Sequence, residues 1–277
     1  MKKSILIADS GGTSTDWCFV AENGERNYFS GNSYHPIHWG ESFMQTEQAF
    51  WSEKSNFLAD EVYFFGAGCF AEEKAVRMKE MLEQLGHQNV HVKSDLHGAG
   101  LALFAEKSGV FAILGTGSVA AYFDDGEVVE LKGGLGYILG DEGSAFSFGR
   151  LLLKLLLENR LSTELTQEIH IAIGDRSEII SKVYSENGRN FVANLALQFG
   201  ASESKEIQWI HELNITTFLN SIESLKNLKK GIAFTGSYAF HQRHLIKEIL
   251  IGKQVPIINV IQKPIEQITD YFLKSAK

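Results

Sequence analysis

Short apolar blocks separated by glycine-rich or acidic turns open the chain. Residues 4–8 and 16–21 alternate as strands around Gly11 and Gly12, and a second turn at Asn23-Gly24 leads to Tyr28 and Phe29. This predicts a three-stranded meander. The period then lengthens to that of helices over 41–58 and 71–85, with Gly86 as a stop, and short apolar runs at 62–65 and 90–93 predict strands between and after them. A helix is predicted over 95–107, ended by Ser108-Gly109. Strands return at 110–114, 118–123 and 128–131, the last after the Asp124-Asp125-Gly126 turn. This second meander repeats the plan of the first without evident sequence identity, and predicts a duplicated architecture.

Beyond it the pattern is mostly helical, over 142–158, 162–173, 177–184, 189–199 and 204–225. A strand at 231–234, a helix at 241–250, a strand at 257–260 and a helix at 264–273 close the chain. The order predicts an α/β protein of two domains. Only three prolines and no low-complexity linker are present, so the boundary is a compact crossover near Asp95. The resulting division is 1–94 plus 263–277 against 95–262, the latter carrying the helical insertion.

Composition narrows the function. With 26 Lys and Arg against 34 Asp and Glu, a net charge of −8 and no basic block, the chain lacks a footprint for nucleic acid. No apolar run is long enough for a signal peptide or a membrane span, so the expected location is the cytoplasm. Two cysteines, Cys18 and Cys69, lie in segments that read as strands and are expected to be buried, reduced thiols.

The candidate chemistry lies in three glycine turns, each directly after an apolar strand: "DSGGTSTD" (9–16), "LGTGSVA" (114–120) and "FTGSYAF" (234–240). Hairpins use glycine whatever their function, so one such turn says little. Three turns with hydroxyls beside the glycines point to anion concavities of backbone N–H groups. A P-loop pattern is lacking. "GTGSVA" matches the dinucleotide fingerprint GxGxxA, but that motif requires a helix after the turn, where this chain predicts a strand. Two acids stand out. Asp95 follows a strand and opens a helix, as either a cap or a catalytic base would, and Asp141 lies before a helix in the glycine-rich "GGLGYILGDEGSAF" (133–146).

"GTGS" at 115–118 followed by 133–146, with "DSGGTSTD" and "FTGS" in order at either end, resembles the N-acetylglucosamine kinases. These form part of the BadF/BadG-type group in the superfamily that joins sugar kinases, actin and the heat-shock chaperone ATPases. The resemblance runs the length of the chain. It implies an actin-like ATPase fold of two ribonuclease H-like domains with an interdomain cleft. It also implies ATP and Mg²⁺ as cofactors and transfer of the γ-phosphoryl group to the 6-hydroxyl of an amino sugar, foremost N-acetylglucosamine. Asp9, Gly11, Gly12 and Thr13 would meet the phosphates, with Asp9 holding a hydrated Mg²⁺. Gly115, Thr116 and Gly117 would clasp the phosphates, and Gly236 and Ser237 would lie beside the adenosine. Asp95 falls on the family's general base. Sugar contacts fall on Asp95, Ser118, Val119, Gly133, Gly134 and Asp141.

Two departures bear on the sugar. Many relatives carry Asn before Pro in the loop after the first meander, whereas here His35 precedes Pro36, with Asn32 nearby but out of step. Where some relatives have Trp after the glycine pair, this chain has Leu135. His35 thus becomes the candidate sugar contact in that loop. The expected partner is a small-molecule sugar, with neither nucleic acid nor membrane, and a homodimer is left open.

Three other readings fit parts of the chain. One is an ATPase activator of a dehydratase, which would need cysteines for an iron–sulfur cluster at a dimer interface. Another is a sugar-responsive, non-catalytic binding protein on the same fold. The third is the nicotinamide oxidoreductase suggested by GxGxxA.

Overall fold

The computed structural model describes residues 3–275. Strands β1 (Ile5–Ser10), β2 (Ser14–Val20) and β3 (Arg26–Asn32) form the first meander. Helix α1 (Glu41–Glu53), strand β4 (Glu61–Gly66), helix α2 (Glu72–Gln84), strand β5 (Val90–Ser94) and helix α3 (Asp95–Phe104) follow. The strands make one sheet in the order β3-β2-β1-β4-β5, antiparallel within the meander and parallel from β1 through β4 to β5.

The second meander is β6 (Gly109–Leu114), β7 (Ser118–Asp124) and β8 (Glu127–Gly133). A mostly helical stretch contains α4 (Gly136–Leu139), α5 (Ala145–Leu157), α6 (Thr163–Ile173), α7 (Arg176–Val183), α8 (Gly188–Phe199) and α9 (Lys205–Ser221). Then come β9 (Ile232–Thr235), α10 (Ser237–His241), α11 (Arg243–Gly252), β10 (Ile257–Ile261) and α12 (Ile265–Ser275). The second sheet runs β10-β9-β6-β7-β8, the order of the first with each strand replaced by its counterpart. The duplicated architecture is therefore present as topology, with both sheets mixed.

By contacts the chain divides into two compact units, residues 1–109, 123–129 and 263–277 in one, and 110–122 and 130–262 in the other. The helix that opens at Asp95 packs in the first of these.

Period-two alternation explains how the first sheet is covered on both faces. Leu6, Ala8, Trp17, Val62 and Phe64 pack with Trp51 of α1 and with Met78 and Leu82 of α2. Ile7, Cys18 and Phe65 point the other way and pack with Ile265 and Ile268 of α12 and Leu101 of α3. Asp9 continues the Ile5–Ile7 face, and Asp16 precedes Cys18 on the same one, so both acids lie on the side covered by α3 and α12. Helix α3 comes close there, because a Cβ at Gly98 would stand 2.9 Å from Phe65. The core of the second unit runs from Val110, Ala112 and Leu114 to α5, α6, α8 and α9.

Several predicted bounds shift. The β1–β2 ladder reaches Ser10↔Thr15, whose buried hydroxyls bond each other at 2.8 Å, so the turn shrinks to Gly11–Thr13 and Asp9 lies within a strand. The helix predicted over 142–158 starts at Ala145, capped by Ser144, whose Oγ accepts from the Ser147 N–H at 3.1 Å. The helix predicted over 95–107 stops at Phe104, where Ala105 turns to φ 54°. Helix α4 was hidden by its flanking glycines, and the segment after "TGS" is helical at once rather than from residue 241. Cys18 lies on β2, whereas Cys69 lies in the turn after β4. Both are free and buried.

Candidate functional site

In the first unit the parallel strands β1, β4 and β5 end side by side. Ser10, Gly66 and Ser94 share one register row, so Asp9 and Asp95 flank that row at the carboxyl ends of β1 and β5. That edge is where open α/β sheets place ligands. Asp95 is the first residue of α3, with Ser94 in the cap position. Its carboxylate accepts from the adjacent Leu96 N–H, at 3.0 Å, and not from an amide further into the helix as a capping side chain does. Burial raises the Asp95 carboxyl to about 6, against the lowering effect of the Leu96 N–H and its own.

Asp9 is pushed further, to about 8, first by burial, then by the charges of Asp95 and Asp16, with Lys263 opposing them. Asp9 and Asp16 are direct partners across the ladder, an unfavourable like-charge pair. Asp16 is held there by Lys263 Nζ at 2.8 Å and by the Ser30 hydroxyl at 2.7 Å. The result is an acidic edge with one lysine against three carboxylates.

The turn between β1 and β2 is open above this edge. A Cβ on Gly12 would meet nothing within 4 Å, and one on Gly11 only the Ser14 carbonyl at 3.8 Å. Neither glycine has a positive φ. Neither backbone strain nor internal packing accounts for two glycines here, and the empty space is what a phosphate approaching the backbone would use. Thr13 is exposed at the tip. Ser33 fixes the turn from behind by donating to the Gly11 carbonyl at 2.7 Å.

In the second unit the structure brings together the turn 115–117, the 133–134 pair, Asp141 and Gly236. Parallel β6 and β9 pair with Ile113 opposite Thr235, so their following turns leave the sheet side by side. The glycines there differ in their reasons. Gly115 is open, with nothing within 4 Å of a Cβ. Gly117 has the Asp141 carboxylate against it, at 2.9 Å from where a Cβ would stand, and a Cβ on Gly236, at φ 106°, would stand 2.5 Å from the Leu114 carbonyl. Gly133 and Gly134 have φ of 79° and 69°, and the Gly134 N–H donates to the Ser118 carbonyl at 3.1 Å beside Val119. Thr116 is half-buried in its turn, and Ser237 is the exposed first residue of α10.

Asp141 is 4% exposed and holds a left-handed backbone at φ 64°. Ser144 caps α5, so Asp141 does not. Its Oδ1 accepts from the Ser118 N–H at 3.1 Å, while Oδ2 is buried with no partner. Burial raises its carboxyl, and Arg189 and Arg150 pull it down less strongly. A buried acceptor left unpaired in a strained residue is costly, and a hydroxyl of a bound molecule would satisfy it.

A buried network holds this loop, and sequence reasoning missed it. Asn214 on α9 accepts from the Gly143 N–H at 2.8 Å and donates to the Ser144 carbonyl and to the Tyr238 hydroxyl, both at 3.0 Å. The Tyr238 hydroxyl bonds His211 Nδ1 at 2.7 Å, and burial lowers that imidazole to about 4. The "GDEGS" loop and the helix after "TGS" are thus tied through one amide. Nothing in the local sequence marks Asn214, because it lies 71 residues from Gly143.

His35 caps a short 3₁₀ turn, Pro36–His38, its Nδ1 accepting from the Ile37 N–H at 3.3 Å. Its ring lies near Gly68 and His38. The nearby Asn32 donates to the buried Glu47 at 2.8 Å.

Among the described residues, no group of three or more His, Cys, Asp or Glu side chains could hold a metal ion by itself. The donor set at Asp9 suits Mg²⁺ in another way, since that ion is commonly held by one or two carboxylates together with phosphate oxygens and water. A carboxyl pushed up by burial and by neighbouring negative charge is one that a cation would stabilise in its ionised form. Two alternatives lose their footing. β7 begins at Ser118, so "GTGSVA" leads into a strand and lacks the helix of a dinucleotide fingerprint. Cys18 and Cys69 are both buried, and burial raises the Cys69 thiol to about 12, which leaves no exposed thiolate pair for a cluster between subunits. Among the described residues no helix is long and apolar enough to cross a membrane.

No protein-family profile matches the chain, and no curated protein matches it in sequence. Solved structures do. A candidate N-acetylglucosamine kinase of Porphyromonas gingivalis is similar over 99% of this chain and 100% of its own, with 29% identity and a TM-score of 0.89. A candidate N-acetylglucosamine kinase of Chromobacterium violaceum is similar over 97% of this chain and 98% of its own, with 16% identity and a TM-score of 0.70. MreB5 of Spiroplasma citri, solved with ADP, shares the fold over 98% of this chain and 96% of its own, with 12% identity and a TM-score of 0.57. The chain therefore has the actin-like ATPase fold, and the resemblance to N-acetylglucosamine kinases carried by its sequence is matched in structure.

Proposed function

We propose that the protein is an ATP-dependent sugar kinase that transfers the γ-phosphoryl group to the 6-hydroxyl of an amino sugar, with N-acetylglucosamine as the first choice. The observation that carries this reading is the pairing of Asp9 and Asp95 at the carboxyl edge of one sheet beside a turn whose two glycines leave open space. The likeness to the Porphyromonas protein supports it.

In this reading Asp95 is the general base. Its carboxyl, raised to about 6, is mostly ionised at neutral pH and basic enough to accept a proton from a sugar hydroxyl as phosphoryl transfer proceeds. Asp9 would hold a hydrated Mg²⁺. Bound with ATP, that ion would neutralise charge on the phosphate oxygens. Gly11, Gly12 and Thr13 of the first unit, and Gly115, Thr116 and Gly117 of the second, would present backbone N–H groups and hydroxyls to phosphate. Gly236 and Ser237 would border the adenosine. The unpaired Oδ2 of Asp141 would accept from a sugar hydroxyl, with Ser118, Val119, Gly133, Gly134 and His35 lining the remainder of the sugar. Because the transition state is loose, positioning and charge stabilisation supply most of the rate.

A phosphorylation screen with ATP and Mg²⁺ tests this, using amino sugars, their lactyl ethers and plain hexoses. Phosphorylation of an N-acetylated amino sugar in preference to glucose supports the proposal. ATP binding with no sugar phosphorylated would favour a non-catalytic sugar-binding role.

A further inference from the structure

Three side chains beside Asp95 form a hydrogen-bonded chain that the motifs do not account for. Ser94, 1% exposed, has its Oγ 2.9 Å from His97 Nδ1, and His97 Nε2 is 2.8 Å from Glu127 Oε2. Glu127 is also bonded to Lys93 Nζ at 2.7 Å. The ring of Phe70 lies 6.5 Å from that of His97. All of these residues belong to the first unit.

The proton positions follow from the partners. An ionised carboxylate only accepts, so the neutral imidazole carries its hydrogen on Nε2, toward Glu127. Nδ1 is then bare and must accept, so the Ser94 hydroxyl donates to it. Burial lowers the His97 imidazole, and Lys93 lowers it further, while the bond to Glu127 raises it. At neutral pH the chain therefore runs Ser94 O–H to His97 Nδ1, and Nε2–H to Glu127. Ser94 occupies the cap position of α3, yet its side chain caps no helix amide. Its hydroxyl is committed to the imidazole.

We infer that His97 is a positioning residue for the transfer reaction: held in one tautomer by Glu127, it pins Ser94 and with it the strand-to-helix junction from which Asp95 projects. The inference rests on the proposed role of Asp95 as base. Loss of the link would leave sugar and nucleotide binding in place and let the carboxylate drift, which costs rate in the bound complex.

The test uses the full chain with ATP, Mg²⁺ and N-acetylglucosamine. Ser94→Ala and His97→Gln, the latter keeping a donor toward Glu127 but no acceptor toward Ser94, should each lower kcat about tenfold or more with KM within about twofold. The double variant should be no worse than either single one, since both break the same bond. His97→Asn, whose amide oxygen can stand where Nδ1 stood, should recover part of the lost kcat. Nitrogen NMR of histidine-labelled protein, with His97 assigned by its loss in His97→Gln, should show the Nε2–H tautomer in the unaltered protein and a mixture in Glu127→Ala. A kcat unchanged in His97→Gln, or an Nδ1–H tautomer in the unaltered protein, overturns the inference. If the unaltered protein phosphorylates no sugar, the kinase proposal fails first and this inference falls with it, an outcome visible before any variant is made.

Discussion

Asp9 and Asp95 stand at the ends of β1 and β5 with the Ser10–Gly66–Ser94 row between them, and the charge of Asp95 helps to push the Asp9 carboxyl up to about 8. The two carboxylates have different uses: Asp95 stays available as a base, and Asp9, whose ionisation it disfavours, gains most from a cation.

Asp95→Asn keeps the size of the side chain and removes its proton acceptor. Sugar phosphorylation should fall by about 10²–10⁴-fold, with ATP affinity nearly unchanged in calorimetry. The acid limb of kcat in the unaltered protein should lie near pH 6, because protonation below the raised Asp95 value removes the base. Turnover retained in Asp95→Asn would leave that residue without a catalytic role.

Asp9→Asn gives a stability test that needs no substrate. A carboxyl raised from 3.8 to about 8 binds more protons folded than unfolded between those values, so the ionised acid costs stability, increasingly as pH rises through that window. Without ligands, Asp9→Asn should raise Tm by roughly 3–6 °C at pH 8–9 and leave it unchanged below pH 4. The same variant should lose the stabilisation that Mg²⁺ and ATP together confer. Equal Tm values for the two proteins at high pH would show that Asp9 is not under strain.

The glycine turns separate into two classes by what a methyl group would meet. Gly12→Ala should fold with a Tm within about 2 °C of the unaltered protein, because the added Cβ has space and φ is not left-handed. It should weaken ATP binding, and Gly12→Val should weaken it more. Gly236→Ala should instead destabilise the fold, since its Cβ would be 2.5 Å from the Leu114 carbonyl at φ 106°. Nucleotide affinity unmoved in Gly12→Val would reduce the first turn to a hairpin connection.

Asn214→Leu should raise KM for the sugar more than KM for ATP. It leaves the Gly143 N–H without its acceptor, at about 1–3 kcal/mol for a buried unsatisfied group, and removes the amide's bonds to the Ser144 carbonyl and the Tyr238 hydroxyl, which keep the Phe148 N–H and His211 as partners. The loop that aims Asp141 would loosen. Steady-state kinetics with each substrate varied in turn checks this, and equal effects on both KM values would count against it.

The fold was legible where periodicity was strong and chain-local. Both meanders and nearly every helix followed from apolar spacing, and the repeated strand order was foreshadowed by two similar runs of turn residues. The misplaced details have physical causes. Ser10 and Thr15 read as turn residues, yet they bond each other inside the ladder and carry Asp9 into a strand. Helix α4 is too short, and too full of glycine at its edges, to show a period. At the site, Asp95 is marked by its place between a strand and a helix, and Asp141 by its glycine-rich setting. The bonds that set their environment come from Ser118, Leu96 and the distant Asn214, and pairings across long stretches of chain leave no mark on local pattern.

His35→Asn addresses the sugar directly. An asparagine oxygen can replace Nδ1 as acceptor for the Ile37 N–H, so the loop should keep its shape. The ratio of kcat/KM for N-acetylglucosamine over a second amino sugar should rise, because a ratio cancels general damage. An unaltered ratio would assign His35 to capping alone.

The central claim is tested most directly by phosphorus NMR of N-acetylglucosamine incubated with ATP, Mg²⁺ and the unaltered protein, followed in parallel with Asp95→Asn. The account predicts a sugar monophosphate whose phosphorus couples to the two hydrogens on carbon 6, formed with matching ADP by the unaltered protein and nearly absent with the variant. ADP and inorganic phosphate without any sugar phosphate, or equal sugar phosphate from both proteins, would contradict it.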